Sequence, residues 1–581
     1  MPKNTMRTSL PPQVIVMLKD DTGPVLNRMN AASNDSQAPE AKLQQTLKSN
    51  GLTLVPLFGE SEASVASMVA KATTSSTANP LLKKMNSFYT LELPPQSSAQ
   101  KTVEELLALD IVEAAYLKPA GEPPFFIESK DSPIAKVMEG GGLPITDNLT
   151  INQTYLNAAP GGVDASFAWT IAGGRGDGVG IIDVEGGWNF SHEDLAVNSG
   201  GMISGFNHTT DPDWFQHGTA VLGEMGGDVN TKGVTGICPN SQIRTISVFT
   251  NAALAYNSAA AMRTAADSLR AGDVMLIEQH RAGPNYPGGQ TQMGFIAMEW
   301  WPDDFLAIQY ATSKGVIVVE AAGNGSQNLN DVKHSTRPPG FPAWWTNPFN
   351  RAGTMDSGAI IVGAGAPPPG TNGFTWGVDR SRLGFSCYGS CVDAQGWGAG
   401  VTTTGYGGIH GTVASNQNEW YTNTFNGTSS ASPIVTGVVA SLQGIQRAAG
   451  RPILTPARMR QLLRTTGSPQ QAGTGTPVTQ RIGNRPNLRQ LVAQVQNAPH
   501  WAGVQFTGVL NPNVTGNWFT HSWPDNWQVL WTVVPTAPIV DGNAQIEFTV
   551  QVDRQAFGFL KYFIKVTNLQ PYPVTFEARF C

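Results

Sequence analysis

Short runs rich in valine and isoleucine recur through the middle of the chain. They lie at residues 178–184, 243–249, 274–278, 315–320 and 359–363. Stretches with the spacing of helices, such as residues 253–269 and 305–313, separate them. Strands that are apolar on both sides are buried on both faces of a sheet, and the intervening helices allow neighbouring strands to run in parallel. The pattern predicts an α/β domain with a doubly wound parallel sheet, which we place at residues 158–497.

The first part of the chain also alternates between strand and helix patterns. The predicted strands are residues 13–19, 52–57, 88–93 and 111–117, and the predicted helices are residues 41–49, 62–72 and 102–109. We expect a separate α+β domain at residues 1–119. Residues 120–157 are irregular and rich in Gly and Pro, and this composition is typical of a linker.

The last part of the chain has the pattern of antiparallel strands. Residues 544–552 alternate between apolar and polar side chains, and further strand-like runs lie at residues 529–534, 559–566 and 574–580. They predict a small β-sandwich at residues 498–581. Its first half contains Trp501, Trp518, Trp523, Trp527 and Trp531. These rings either form a surface that binds a glycan or a protein, or they pack in the core and turns, which is the commoner fate of tryptophan.

Composition and charge narrow the classes of partner. Only 14% of the 581 residues are charged, and the net charge of −6 is small for this length. Since no run of Lys and Arg is present, neither nucleic acid nor an anionic membrane is an expected partner. No apolar stretch reaches the roughly 18 residues of a membrane span, and the short apolar run at residues 14–18 does not make a signal peptide.

The four cysteines allow at most a small disulfide. Cys387 and Cys391 flank Tyr388-Gly389-Ser390 and are close enough in sequence to pair, whereas Cys238 and Cys581 have no deducible partner. His and Cys residues do not cluster in the sequence, so a zinc site is not expected.

The segment Asn426-Gly427-Thr428-Ser429-Ser430-Ala431-Ser432-Pro433 precedes a nearly all-apolar run. Thr428 and Ser429 can cap a helix at this point, and Pro433 is tolerated near the start of a helix. Unpaired backbone N–H groups and the positive end of the helix dipole then converge on Ser429, which favours developing negative charge. Taken alone, Ser429 is more often a cap of a buried helix than a nucleophile.

Three further residues lie where predicted parallel strands end or in the loops beyond them, and chemistry gathers at those ends. Asp183 ends one apolar run, His217 opens His217-Gly218-Thr219, and Asn324 follows another apolar run. Each alone has a structural explanation as a hydrogen-bonding carboxylate, a helix cap or a turn residue. Together with Ser429 they supply a nucleophile, a base, an acid that orients the base and an amide donor for an oxyanion.

The order of these motifs closely resembles that of the subtilisin-like serine proteases, the subtilases. The matching motifs are Gly180-Ile181-Ile182-Asp183-Val184, Ser191-His192-Glu193-Asp194-Leu195, His217-Gly218-Thr219, Ala321-Ala322-Gly323-Asn324-Gly325 and Gly427-Thr428-Ser429-Ser430-Ala431-Ser432-Pro433. The resemblance covers residues 162–496. It implies a serine endopeptidase with the catalytic triad Asp183, His217 and Ser429, and with Asn324 in the oxyanion hole.

The resemblance also implies roles for the flanking regions. The N-terminal domain resembles the subtilase propeptide, an inhibitor and chaperone, so the chain is expected to be a zymogen that cleaves itself within residues 119–157. The alternative is an unrelated ferredoxin-like interaction domain. The resemblance further implies secretion and a reaction that needs no cofactor. A structural Ca²⁺ is possible in this family, and the acidic and imidazole side chains that offer ligands are His192, Glu193, Asp194, His208, Asp211 and Asp213.

The chain departs from the family at the strand that pairs with substrate. The expected substrate-binding residues are Glu278, Gln279, His280 and Gly323, the first three standing where subtilases have Ser-Leu-Gly. Main-chain pairing does not depend on side chains, so an extended peptide can still bind there. Glu278 either attracts a basic substrate side chain or pairs with Arg281. Glu185, two residues after Asp183, is either a second acid near the site or a solvated residue, and we favour the solvated one.

Two other functions stay open at this stage. A sedolisin-type acid peptidase shares the Gly-Thr-Ser turn but uses Glu in place of His, and His217 argues against it. A catalytically silent protein of subtilase fold would bind partners, with residues 278–281 blocking peptides and the C-terminal domain adhering to a surface. The complete set of catalytic residues argues against this second alternative.

Overall fold

The structure is a computed structural model, and it describes residues 10–19, 25, 26, 29, 38–59, 61–73, 79–93, 98–124, 146–197, 199–410, 416–496, 503–525, 529–538, 540, 544–555 and 559–581. The chain divides into two compact units, Met1–Val492 and Ala493–Cys581. The domain boundaries that we give above stay predictions, and residues 125–145 of the predicted linker lie outside the described residues.

Four antiparallel strands form the sheet of the N-terminal domain, in the order β2-β3-β1-β4. In chain order the elements are β1 (Gln13–Leu18), α1 (Pro39–Ser49), β2 (Thr53–Pro56), α2 (Glu62–Ala72), β3 (Phe88–Glu92), α3 (Ala99–Leu107) and β4 (Val112–Lys118). Strand β1 is apolar from Val14 to Leu18 because both of its faces are covered. Val14 and Val16 pack in a core of the domain itself, whereas Ile15 and Met17 join the core of the parallel-sheet domain. The N-terminal sheet therefore lies directly against that domain.

Seven parallel strands form the central sheet, in the order β13-β12-β11-β8-β5-β7-β6. In chain order the elements are α4 (Ala165–Ala168), β5 (Gly180–Glu185), β6 (Ser199–Ser204), α5 (Pro212–Gly226), β7 (Gln242–Ser247), α6 (Ser258–Asp267), β8 (Val274–Ile277), β9 (His280–Ala282), β10 (Phe295–Ala297), α7 (Pro302–Ser313), β11 (Ile317–Ala321), α8 (Val332–Ser335), β12 (Ile360–Gly365), β13 (Val392–Trp397), β14 (Val401–Thr404), β15 (Tyr421–Phe425), α9 (Thr428–Ala448), α10 (Pro456–Thr465) and α11 (Leu488–Gln496). The predicted doubly wound α/β fold is confirmed.

Helix α9 is buried along almost its whole length, from Thr428 to Gln446. Its residues pack against β11, β12 and β13, so no face of the helix is left for solvent. Its N-terminus is therefore fixed relative to the ends of the parallel strands, and Ser429 is fixed with it.

The second unit contains two three-stranded antiparallel sheets, in the orders β16-β21-β18 and β17-β20-β19. The strands are β16 (Gly503–Leu510), β17 (Thr515–Pro524), β18 (Trp531–Ala537), β19 (Ile546–Gln555), β20 (Phe559–Asn568) and β21 (Val574–Phe580). Trp518 stacks on Phe506 in the core, and Trp523 packs edge-on against Trp531. Trp501 and Trp527 lie outside the described residues. A glycan- or surface-binding role of this unit stays a prediction.

The predicted disulfide between Cys387 and Cys391 is wrong, because all four cysteines are free thiols. The Cys387 sulfur donates to the Phe295 carbonyl at 3.2 Å and accepts from the Gln327 N–H at 3.4 Å. Cys391 instead lies beside Arg351, just before β13. Short separation in sequence allowed a bridge, but the two sulfurs have different neighbours.

We expect one thiol to react rapidly with dithionitrobenzoate in the folded protein, that of the exposed Cys581, and four to react after unfolding. Burial raises the pKa of Cys238 to about 12 and that of Cys387 to about 11, so these buried thiols carry little reactive thiolate. Cys581→Ser should abolish the rapid reaction. If only two thiols react in the unfolded, unreduced protein, the disulfide between Cys387 and Cys391 is present after all.

Candidate active site

Ser429 is completely buried in the first turn of α9, after Gly427 with φ of +99°. The neighbouring Thr428 donates from its backbone N–H and its hydroxyl to Asn324 Oδ1, at 2.9 and 3.0 Å. These two bonds fix the orientation of the Asn324 amide, whose NH₂ group donates to Gln292 Oε1 at 3.2 Å. The structure thus brings the predicted nucleophile and the predicted oxyanion donor together.

His217 lies on α5 and is also completely buried. The carboxylate that holds its Nδ1 is not that of Asp183, which we predict. Its Nδ1 makes a short hydrogen bond and ion pair with Glu185 Oε1. Asp183, the predicted acid of the triad, accepts from the Trp188 indole N–H at 2.7 Å. The expectation that Glu185 is solvated is wrong, since no part of this residue is exposed.

The local structure explains this exchange. Asp183 and Glu185 are two residues apart on β5, so both side chains point to the same face of the sheet. Glu185 is the last residue of β5, and its longer side chain reaches the imidazole of His217. Trp188, in the loop that follows, brings its N–H back to Asp183. The sequence signal for Glu185 was therefore its alternation with Asp183, which places both acids on one face.

A third carboxyl group stands next to the nucleophile. Glu278 is completely buried just after β8 and accepts a hydrogen bond from Ser432. Burial raises its pKa well above the usual value, and hydrogen bonds from Ser432 and Ser429 only partly oppose this. The predicted ion pair of Glu278 with Arg281 is wrong, because Arg281 pairs with Asp304 at 3.1 Å instead. An attraction of Glu278 for a basic substrate side chain stays a prediction.

Burial governs the charge state of the whole cluster. It raises the pKa of Asp183 to about 7, and it raises the pKa of Glu185 well above its usual value, with the charges on Asp183 and Glu278 adding to the effect. Several carboxylates cannot all be ionised in one dry site with a single imidazole as counter-ion. These carboxyl groups therefore do not all ionise together, and one that keeps its proton can donate a hydrogen bond as well as accept one.

Residues 121–124 occupy the space in front of Ser429. Glu122 pairs with His280 as in an antiparallel sheet, through N–H to carbonyl bonds of 3.0 and 3.1 Å in the two directions. Gln292 donates to the Pro123 carbonyl at 3.0 Å. The Ser429 hydroxyl donates to the Pro124 carbonyl at 3.1 Å. The segment that follows the N-terminal domain therefore lies in an extended conformation across the candidate nucleophile.

The predicted substrate-binding residues differ in what they contact. His280 supplies the backbone pairing described above. Gln279 accepts from the Tyr256 hydroxyl at 2.5 Å, and these two side chains leave no room at Gly121, where a Cβ would lie 2.5 Å from the Tyr256 oxygen. Gly323, with φ of +96°, fits closely against the Phe295 backbone. Gln292 was missed from the sequence, because its side-chain hydrogen bonds join it to residues far away along the chain.

Among the residues that the structure describes, no group of three or more His, Cys, Asp or Glu side chains is placed to hold a metal ion. Two of the side chains that could offer calcium ligands have other partners. Glu193 pairs with Lys232 at 2.6 Å, and Asp194 accepts from Asn230 and from the Val234 N–H, each at 2.6 Å. The described side chains around residues 192–194 therefore do not fit a calcium site.

Comparisons with known proteins agree with the parallel sheet and the motifs. The model of the subtilase family matches residues 174–484. Thermitase from Thermoactinomyces vulgaris is 26% identical over 340 residues, covering 56% of this chain and 94% of thermitase. Subtilisin DY from Bacillus licheniformis is 29% identical over 297 residues, covering 50% of this chain and 83% of that protein.

Two solved structures align with this chain as well. Fervidolysin from Fervidobacterium pennivorans, a keratinolytic enzyme, aligns with a TM-score of 0.47 and 18% identity, over 98% of this chain and 70% of that one. The epidermin leader peptide processing protease from Staphylococcus aureus aligns with a TM-score of 0.48 and 15% identity, over 84% and 99%. The family match covers more than half of the chain and includes Asp183, His217, Asn324 and Ser429. The chain therefore belongs to the subtilase family of serine peptidases.

Proposed function

We propose that this protein is a serine endopeptidase, made as a zymogen, that cleaves its own chain between Pro124 and Phe125. The contact of the Ser429 hydroxyl with the Pro124 carbonyl carries the proposal. The pairing of Glu122 with His280 supports it, because proteases commonly bind the residues before the scissile bond as an added strand. Its further substrates are proteins or peptides.

In the proposed reaction, the Ser429 oxygen attacks the carbonyl carbon of Pro124 while His217 takes the hydroxyl proton. Glu185 holds Nδ1 of the imidazole and balances the charge that then develops on the ring. Asn324 and the backbone N–H of Ser429 stabilise the oxyanion. His217 returns the proton to the leaving amine, and water then releases the carboxyl group of Pro124 from the acyl-enzyme.

The N-terminal domain would act as the inhibitor of the enzyme after this cleavage. Its last strand, β4, leads into residues 121–124, which would stay in the cleft as a product until the domain leaves. Secretion follows from the family resemblance as part of the same proposal. Within the described part of the chain, no helix is long and apolar enough to span a membrane.

The electrostatics do not favour an acid peptidase that uses Glu278 as its base. A general base must be deprotonated, and the raised pKa of Glu278 keeps its carboxyl group protonated in acid. His217 is therefore the base of the proposed mechanism, and Glu278 is a hydrogen-bonding neighbour.

The wild-type chain should separate into residues 1–124 and 125–581, whereas Ser429→Ala should stay at its full mass. The reason is that only the wild type has the attacking hydroxyl. Intact-mass spectrometry of the two purified proteins measures this, and Ser441→Ala in the same helix is the matched control that should process normally. Processing of the Ser429→Ala chain would refute the proposed nucleophile, and a cut at another bond would refute the assignment of Pro124.

Replacing Glu185 should be far more costly than replacing Asp183. For Glu185→Gln we expect the rate constant of self-cleavage to fall about 10⁴-fold, the scale set by orienting acids in other serine proteases. For Asp183→Asn we expect a fall of about tenfold, because an amide can still accept from Trp188. Time courses on gels give both rates, with circular dichroism to confirm folding. If Asp183→Asn lowers the rate of self-cleavage more than Glu185→Gln does, Asp183 is the acid that orients His217.

Glu278→Gln should self-cleave within about tenfold of the wild-type rate, because the raised pKa of Glu278 favours its neutral form and the amide is a neutral group of similar shape. In both proteins the rate should rise through about pH 6 to 7 as an imidazole base loses its proton. A fall of several orders of magnitude in Glu278→Gln, or wild-type activity that is highest near pH 4, would make a carboxylate the base.

A further inference from the structure

A second group of buried charges lies where the N-terminal domain meets the parallel-sheet domain. Lys118, the last residue of β4, is completely buried. Its ammonium group pairs with Asp303 and, at 2.8 Å, with Asp304 Oδ1, and it donates to the Ser258 hydroxyl at 3.3 Å. A lysine is seldom buried so completely unless acids surround it.

The acids that receive Lys118 belong to the parallel-sheet domain. Asp303 and Asp304 lie in the first turn of α7, where the helix dipole favours negative charge, and Ser258 begins α6. Arg281 is the second cation of the group, at 3.1 Å from Asp304 and 2.9 Å from the Ser258 hydroxyl. Two carboxylates thus face two cations. Once Lys118 leaves, one carboxylate of this pocket has no matching positive charge.

An aromatic site adjoins the acidic one. The Tyr116 hydroxyl donates to Asp303 at 2.8 Å, and its ring packs on Phe341 with centroids 4.7 Å apart. Gly340, with φ of +82°, lets this loop approach β4 so closely that a Cβ there would lie 2.1 Å from the Ala115 carbonyl oxygen. The parallel-sheet domain therefore has a formed receptor for an extended strand with an aromatic residue and, two positions later, a basic one.

This receptor is in register with the proposed scissile bond. Lys118 lies six residues before Pro124 in the sequence, and the chain between them is held at two points. The Pro119 carbonyl accepts from Arg281, and Glu122 pairs with His280. If a substrate pairs with residues 278–281 in the same way, its residue six positions before the attacked carbonyl lies where Lys118 lies in the zymogen.

We propose that Asp303 and Asp304 form a substrate-binding site of the processed enzyme, selecting a basic side chain six residues before the residue whose carbonyl is attacked. The proposal rests on the proposed function, because the register is counted from Pro124. The N-terminal domain fills this site with Lys118 in the zymogen. Its departure leaves the site to protein substrates that have a lysine or arginine at the same distance from the cleaved bond.

The test uses the self-processed enzyme after its cleaved N-terminal domain has been separated, with three internally quenched peptides that span residues 116–128. One has the natural sequence, one carries Lys118→Gln and one carries Lys118→Arg. We expect kcat/KM for the Lys118→Gln peptide to be lower by about tenfold or more, since it leaves the buried carboxylates unpaired, and the Lys118→Arg peptide to stay near the natural one. Equal rates for the natural and Lys118→Gln peptides would overturn the site.

A second arm assigns the effect to the acids. An enzyme with Asp303→Asn and Asp304→Asn should cut all three peptides at similar rates, close to the rate of the wild-type enzyme on the Lys118→Gln peptide. A preference for Lys118 that survives in this variant would overturn the assignment. If the variant does not fold, the peptide series on the wild-type enzyme still decides the proposal.

Failure of the proposed function gives a different result. In that case no peptide is cut and a fluorophosphonate does not label Ser429. Cleavage of the natural peptide at a bond other than Pro124–Phe125 would overturn the register and, with it, the inferred position of the basic residue.

Discussion

Burial of ionisable groups is the constraint on which the rest of this molecule depends. Asp183, Glu185, Glu278 and His217 are all completely inaccessible, and each carboxyl group has a hydrogen-bonding partner of its own. Because burial raises the pKa of these acids, the folded state holds protons that the unfolded chain would release. For Asp183 this linkage lowers the free energy of unfolding as the pH rises from about 4 to about 7, and the cost then stays constant. The arrangement of the site is therefore maintained against an electrostatic cost by the packing around it.

The same constraint acts at the boundary with the N-terminal domain. Lys118 and Arg281 balance Asp303 and Asp304 only while β4 is in place. The chain that leads from Lys118 to Pro124 is thus held by ion pairs at one end and by strand pairing and the Ser429 contact at the other. When the N-terminal domain leaves, these charges become exposed to water and salt screens their attraction, so the acidic end is the part of this interface most sensitive to salt.

The sequence predicted those features that depend on the residues of one helix or strand alone. Runs of apolar β-branched residues predicted the parallel sheet, and the Gly-Thr-Ser turn predicted the helix that begins at Thr428. It did not predict contacts that depend on how closely two separate helices or strands approach each other. The alternation of Asp183 and Glu185 shows that they share a face, but only the approach of α5 to the end of β5 determines which acid meets the imidazole. The orientations of Cys387 and Cys391, and the partners of Gln292 and Lys118, likewise come from residues far along the chain.

The choice of Glu185 over Asp183 depends on how closely Trp188 can approach the helix that carries His217. The next residue on that helix is Gly218, and a Cβ there would lie 2.3 Å from the Gly187 carbonyl oxygen and 2.7 Å from the Trp188 ring. Any side chain at this position would push Trp188 away and take its N–H from Asp183. Asp183 would then be a buried carboxyl group without that donor, competing with Glu185 for the imidazole. The small residue after His217 thus keeps the two acids in separate roles, one held by an indole and the other by the imidazole.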